Sequence, residues 1–292
     1  MNFRIDNKNR FYGRVVIIGS SGIISKNLQN KLKKNKINHL IIGSKKINLL
    51  KPKSFISLRN KIKKNDTIVF IAAEAPVKNE KMLINNLIMS SNLVNALKNK
   101  ILRQFIYVSS DAVYADSKKK INEKSLKAPD SFHGLMHLSR EKIFQSYFSK
   151  DLLILRPTLI YGKEDTHLGY GPNKFLFLSL KKLPISIFGN GEEKRDHIYI
   201  DYLIDIFFKC IIGKASGALN LVSGQVSSFR FIAKTIQKKL NIKSKIIKIK
   251  RTGPMPHNGY RAFDVKTLNT FFGNVKKISI NDGIKRYIKK FK

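Results

Sequence analysis

One stretch limits the fold more than any other: Val15-Val16-Ile17-Ile18-Gly19-Ser20-Ser21-Gly22-Ile23-Ile24-Ser25. A β-branched run reads as a buried strand, it stops at Gly19, and a helical pattern starts at about Ile23. A glycine turn lets backbone come close to a pyrophosphate, and a helix N-terminus offers free N–H groups with partial positive charge. Gly19, Ser20, Ser21, Gly22, Ile23 and Ile24 are therefore candidate cofactor-binding residues. The same order also serves α/β proteins that bind no nucleotide, so the rest of the chain has to decide.

The pattern downstream alternates. Strands are expected at 14–19, His39–Ser44, Thr67–Ala73, Gln104–Ser110 and Leu152–Arg156, with helices at Ile24–Lys34, Phe55–Lys64, Lys81–Lys98 and Leu135–Phe148. Continuously apolar strands separated by helices predict an α/β fold, a Rossmann-type doubly wound parallel sheet covered on both faces. Ligands of such sheets bind beyond the carboxyl ends of the strands, here Gly19, Ser44, Ala72-Ala73, Ser109-Ser110 and Arg156-Pro157-Thr158. After about residue 160 the elements shorten and mix. The expected organisation is a polar lead-in over 1–13, a dinucleotide-binding domain over 14–165, and a small C-terminal mixed substrate subdomain over 166–292, some of whose elements return to the core. In Ile247-Lys248-Ile249-Lys250 the alternation reads as a half-exposed edge strand.

A chain of 292 residues with 42% hydrophobic content can bury a sizeable core. Its single cysteine, Cys210, excludes a disulfide framework and a multi-cysteine metal site, and in its apolar surroundings reads as an inert buried thiol. No apolar run is long enough for a signal peptide or a membrane span, so the expected location is the cytoplasm. The formal net charge of +38 raises the question of a polyanion partner. The lysines are spread along the chain rather than gathered in one arm or face. This favours a solvated basic surface over a specific nucleic-acid interface, and an anionic substrate also fits the charge.

At Ser109-Ser110-Asp111-Ala112-Val113-Tyr114, read with Gly19-x-x-Gly22-x-x-Ser25, the chain resembles the extended short-chain dehydrogenase/reductases. More narrowly, it resembles the NAD-dependent epimerase/dehydratase group that acts on nucleotide sugars. Ala72-Ala73-Glu74, Arg156-Pro157-Thr158-Leu159-Ile160-Tyr161-Gly162, Gly189-x-Gly191…Arg195-Asp196 and Leu219-Asn220-Leu221-Val222-Ser223-Gly224 add independent matches. The resemblance implies that Gly19 and Gly22 shape the pyrophosphate turn, while Ser25 stands where the family has its third glycine. It implies that Ala72, Ala73 and Pro157 line the cofactor. The end of the second strand would choose between NAD and NADP; Ser44, Lys45 and Lys46 offer no acid for a ribose and a lysine pair for a 2′-phosphate, which favours NADP. Arg195, Asn173 and Arg261 would contact the nucleotide-sugar substrate. Relatives often dimerise through the two helices flanking the catalytic strand, which leaves a homodimer as an open expectation.

The resemblance breaks at the catalytic pair. The family carries Tyr-x-x-x-Lys, tyrosine transferring a proton and lysine binding the nicotinamide ribose; this chain has His133 and His137 at those positions. Two readings stay open. In one, His133 transfers the proton, Ser110 orients the substrate hydroxyl, Asp111 lies beside it and His137 takes the ribose contact. In the other, the site is degenerate and the protein binds nucleotide or nucleotide sugar without turnover. Asp111 is followed by Ala112, so the acidic pair of the family's dehydratases is missing, and an epimerase or 4-keto-sugar reductase fits better.

Overall fold

The computed structural model describes residues 1–6, 11–165, 168–242, 245–273 and 275–291. In chain order the first elements are β1 (Val15–Ile18), α1 (Ile23–Lys34), β2 (His39–Ile42), α2 (Ser54–Lys61), β3 (Thr67–Phe70), α3 (Glu80–Leu97), β4 (Gln104–Val108), α4 (Phe132–Phe148) and β5 (Leu152–Pro157). They continue with β6 (Leu159–Tyr161), α5 (Pro172–Leu180), β7 (Ile185–Phe188), β8 (Lys194–Tyr199), α6 (Ile200–Ile212), β9 (Gly217–Leu221) and β10 (Val226–Ser228). The last are α7 (Phe229–Leu240), β11 (Ile246–Ile249), β12 (Tyr260–Arg261), α8 (Lys266–Phe272) and α9 (Ile280–Lys289).

The chain divides into two compact units. The first comprises Met1–Ala115, Glu123–Pro157 and Ile204–Asn220; the second comprises Asp116–Asn122, Thr158–Leu203 and Leu221–Lys292. The expected boundary at 165 thus moves to Pro157/Thr158. The reason is local: after Pro157 the chain leaves the large sheet, and Leu159–Tyr161 pairs with His197–Tyr199 of β8. The lead-in is also more tightly held than its polar composition implies. Phe3 is buried, and Arg4 N and Asp6 N donate to Ser216 O and Gly213 O. Within the lead-in, residues 7–10 lie outside the described residues, as do residues 166–167 further on.

The first unit is built on a six-stranded sheet in the order β2-β1-β3-β4-β5-β9. The pairings from β2 to β5 are all parallel. Every residue of β1, β3, β4 and β5 is buried, as expected of strands covered on both faces. The strand order reverses at β1, so crossovers leave β1 and β3 in opposite directions and open a crevice at their carboxyl ends. Helix α4 is seated by Phe144, whose ring lies 5.0 to 5.6 Å from those of Phe105, Tyr107 and Phe70. Cys210 is buried, and burial pushes its thiol pKa up, consistent with the inert thiol expected.

In the second unit β8 is the hub, antiparallel to β10 and parallel to β6 and β12. Polarity hid this strand from the pattern: Lys-Arg-Asp-His precedes Ile198-Tyr199, yet Asp196 and His197 are buried. The Asp196 carboxylate accepts from Thr158 Oγ1 (3.0 Å), Ser223 N (2.9 Å) and Gly224 N (2.7 Å), so it gathers three chain segments. A separate parallel pair joins β7 and β11, where Ile247 and Lys248 are both exposed rather than alternating.

Burial, with Arg195 adding to it, pushes the His197 pKa down to about 3. The folded protein therefore takes up this proton only below about pH 3, while the unfolded chain takes it up near 6.5. Between those values unfolding binds a proton, and stability falls as pH falls. From His197 alone the loss at pH 4 relative to pH 7 should be about 3 kcal/mol, at about 1.4 kcal/mol per pKa unit. Urea unfolding of wild type and His197→Phe across this range is the check: the variant should show the shallower pH slope, and equal slopes would contradict the assignment.

Candidate functional site

The β1–α1 turn has the form the sequence predicts. Gly19 has φ +114°, and a Cβ there would lie 2.7 Å from Ala72 N, so only glycine allows β1 and β3 to end this close. Gly22, the N-cap of α1, faces open space, and no side chain caps the helix. The first N–H groups of α1 are thus left for an anion. Ser25, at the third glycine position, is fully buried and turns its hydroxyl back to Gly19 O at 2.6 Å, while Gln29 Nε2 donates to it at 2.9 Å. The serine at this position therefore ties the start of α1 back to the turn.

Above this turn lies an open cavity of about 340 Å³, within the range of small-molecule sites. Gly19, Ser20, Ser21, Ser44, Ala72 and Ala73 line it, all of them foreseen. Ile47, Asn48, Leu49, Leu50 and Met89 also line it, and sequence reasoning missed them. Glu74 is the carboxylate on its wall; Asn85 Nδ2 donates to it at 3.0 Å. Lys45 is exposed beyond Ser44, Ile24 points into the core, and Pro157 is buried at the end of β5; none of the three lines this cavity.

The residues expected to do acid–base work sit at the carboxyl end of β4 and the start of α4. Ser110 caps a short 3-10 turn over Asp111–Val113, its Oγ accepting from Ala112 N at 3.1 Å. Helix α4 begins earlier than its apolar periodicity indicates, because Ser131 caps it by accepting from Gly134 N at 3.2 Å. That puts His133 in the first turn. A Cβ on Gly134 would fall 2.2 Å from Ala112 O, so glycine is what lets the helix start press against the Ser110–Ala112 turn. Burial lowers the His133 pKa, and the Asp111 charge opposes that shift. His137 is buried one turn later, with Nδ1 2.7 Å from the Tyr107 hydroxyl and its ring edge-on to His133 at 4.7 Å. Burial lowers the His137 pKa strongly, with His133 and Arg140 adding to the effect.

A buried network behind this turn holds it in place. Arg156 Nε and Nη2 each bond one Glu141 oxygen at 2.7 Å, and both side chains are 1% exposed. Ser109 Oγ donates to Glu141 at 2.7 Å, and Arg156 Nη1 donates to the Tyr114 hydroxyl at 2.7 Å. Burial pushes the Tyr114 pKa up to about 12, so the phenol stays protonated and donates to Asn220 Oδ1 at 2.7 Å. The network fastens α4 to the ends of β4 and β5.

The second unit carries the other foreseen residues. Arg195 and Arg261 are direct neighbours across β8 and β12. Arg195 pairs with Glu193 at 3.2 Å, and Arg261 with Asp116 at 3.1 Å, beside His257 at 3.0 Å. Arg251, which the sequence reading passed over, reaches the other Glu193 oxygen at 3.4 Å. Adjacent guanidiniums repel, and a planar anion with several oxygens is the ligand that suits such a group. Asn173 is engaged at both ends of its amide, accepting from Gly162 N at 3.0 Å and donating to Asp165 at 2.6 Å, so it frames its loop.

A parallel α/β sheet with a glycine turn at its switch point is the plan of the Rossmann-type proteins. Residues 15–220 match the NAD dependent epimerase/dehydratase family, and the chain belongs to it. The dTDP-D-glucose 4,6-dehydratase of Dictyostelium discoideum is 28% identical over 239 residues, covering 68% of this chain. The match spans 55% of that relative's length. Among solved structures, the UDP-glucose 4-epimerase of Thermotoga maritima superposes with a TM-score of 0.85 at 17% identity, over 95% of this chain and 98% of its own. A GDP-L-fucose synthetase from Naegleria fowleri bound to NADP gives 0.84 at 14% identity, over 99% and 96%. Identities this low establish a shared fold. No helix among the described residues is long and apolar enough to cross a membrane.

Proposed function

We propose that the protein is an NAD(P)-dependent nucleotide-sugar epimerase or 4-keto-sugar reductase in which His133 handles the proton. The observation that carries this reading is the packing of the first turn of α4, through Gly134, against the Ser110–Asp111 turn, with the Asp111 charge bearing on His133. The uncapped start of α1, the open face at Gly22 and the cavity beside Gly19 fit a dinucleotide. A nicotinamide ring supplies hydride acceptance and return when bound. Burial keeps His133 neutral at pH 7, the form that takes a proton from a sugar hydroxyl, and Asp111 stabilises the imidazolium that results. Ser110 orients the hydroxyl. Within the second unit, Arg195, Arg251 and Arg261 are the group suited to a diphosphate.

Because β2 runs into Gly43-Ser44-Lys45-Lys46 without an acid, NADP is favoured over NAD. Ala112 beside Asp111 favours epimerisation or ketone reduction over dehydration. A second reading, dinucleotide binding without turnover, draws on His137, whose Nδ1 is occupied by Tyr107 and which brings no permanent charge. Incubation with NADP(H) or NAD(H) and a panel of UDP-, dTDP- and GDP-sugars separates the two. Micromolar cofactor binding with epimerised or reduced sugar supports the enzyme; binding with no product across the panel supports the binder. RNA retained at physiological salt, with a steep salt slope, would point instead to a polyanion-binding role.

A further inference from the structure

Arg140 lies on the same face of α4 as His133 and His137, one turn deeper, and is 1% exposed. Among the described residues its hydrogen-bond partners include no carboxylate. Nη1 donates to Ala72 O at 2.9 Å, and Nε and Nη2 donate to Asn86 O at 3.1 and 2.7 Å. The guanidinium also lies 4.9 Å from the centre of the Phe70 ring. A cation buried this deeply is costly unless its neighbours answer it. Here the answer is two carbonyl dipoles and a ring face.

Those partners are not arbitrary. Asn86 holds Glu74 by both main-chain groups, accepting from Glu74 N at 3.1 Å and donating to Glu74 O at 3.0 Å. Arg140 therefore grips Ala72 directly and Glu74 through Asn86, bracketing Ala73, and all three residues wall the cavity beside Gly19. Toward the imidazoles, the Arg140 charge bears on Tyr107, which is buried. A buried phenol has to place its proton, and among the described residues its hydrogen-bond partner is His137 Nδ1, 2.7 Å away.

We infer that Arg140 is a positioning residue which clamps the Ala72–Glu74 turn of the cofactor wall, while Tyr107 beside it fixes His137 as a neutral imidazole with its proton on Nε2. His137 then offers a donor whose state does not depend on pH, and the permanent positive charge of the site resides on Arg140. The groups facing His137 are Tyr107 from β4 and His133 and Arg140 from its own helix; Asp111 bears on His133, and Glu141 on Tyr107. Only the cofactor half of this inference rests on the function proposed above.

The direct test is nitrogen-15 NMR of the histidine rings in the wild-type protein, with the His137 signals assigned by their loss in His137→Gln. Nδ1 should resonate as an unprotonated nitrogen and Nε2 as a protonated one, unchanged from about pH 5 to about pH 9. A protonated Nδ1, or titration near 6.5, would overturn the inference. The second arm is NADPH binding by Arg140→Lys and Arg140→Gln, with folding checked by circular dichroism. Both variants lose the fork that spans Ala72 and Asn86, so their Kd should rise about tenfold or more, the scale of one lost charge-assisted hydrogen bond. An unchanged Kd would remove the clamp. If neither Arg140 variant folds, Asn86→Ser, which drops the side-chain hold on Glu74, should raise the Kd in the same way, and an unchanged Kd there would remove the clamp. If folded wild type binds neither cofactor, the proposed function fails while the tautomer still judges the role of Tyr107.

Discussion

Replacing His133 with alanine should lower kcat by about 10²–10⁴-fold, the range that a positioned acid–base group supplies. The Kd for NADPH or NADH should stay within about twofold, because the foreseen cofactor contacts come from the β1–α1 turn and the ends of β2 and β3. The size of the effect follows from the surroundings of the residue. Gly134 lets the first turn of α4 press on Ala112 O, Ser131 fixes where the helix starts, and the Asp111 charge bears on the ring. Burial lowers the His133 pKa, so activity in the proton-accepting direction should rise with pH to a plateau whose midpoint lies below 6.5. Asp111→Asn removes the charge that opposes the shift and should move that midpoint further down. Equal turnover by wild type and His133→Ala would end the proton-transfer role.

Truncating Glu141 should be the most damaging single change to stability in the first unit. Glu141→Ala leaves the Arg156 guanidinium 1% exposed with no counter-charge at its Nε and Nη2 and orphans Ser109 Oγ. Breaking one side of such a buried pair costs about 3–5 kcal/mol. Urea unfolding should show that loss in ΔG at an unchanged slope. The double variant Glu141→Leu/Arg156→Met should recover part of it, because no unpaired charge is then left behind. A loss under about 1 kcal/mol in Glu141→Ala, or strict additivity in the double variant, would contradict the picture of an interlocked network.

How much could be read beforehand depended on which physical signal each segment carried. The parallel core was open to reading because β1 is apolar throughout and β3 and β5 carry the apolar runs Ile68–Phe70 and Leu152–Leu155, which suit strands buried on both faces. The turn at Gly19 was open for a related reason, since it ends such a run with a residue that tolerates φ +114°. The start of α4 was placed at Leu135 from apolar spacing, while the cap at Ser131 and the close approach at Gly134 set the true start at Phe132. This shift matters, since it puts His133 on the helix.

Strand β8 was hidden because its first half is charged and gains its stability from Asp196 tying three segments together, a long-range effect that no local pattern records. Arg140 was hidden more completely. A cation on an amphipathic helix reads as solvated surface, and only the three-dimensional fold brings Ala72 O and Asn86 O to meet it. Arg251 had a local cue, an arginine directly after an edge strand and before Gly253-Pro254, but its shared partner Glu193 lies far away in sequence.

Fluorescence titration of the purified protein with NADPH and NADH tests the central claim most directly, with Gly19→Val as the control. At Gly19 any Cβ would meet Ala72 N at 2.7 Å, so the variant must displace either the turn or the end of β3. Wild type should bind with saturable micromolar affinity, NADPH ahead of NADH, and Gly19→Val should lose binding while keeping its helix content. Folded wild type that saturates with neither dinucleotide, or a Gly19→Val variant that binds as tightly as wild type, would contradict the account.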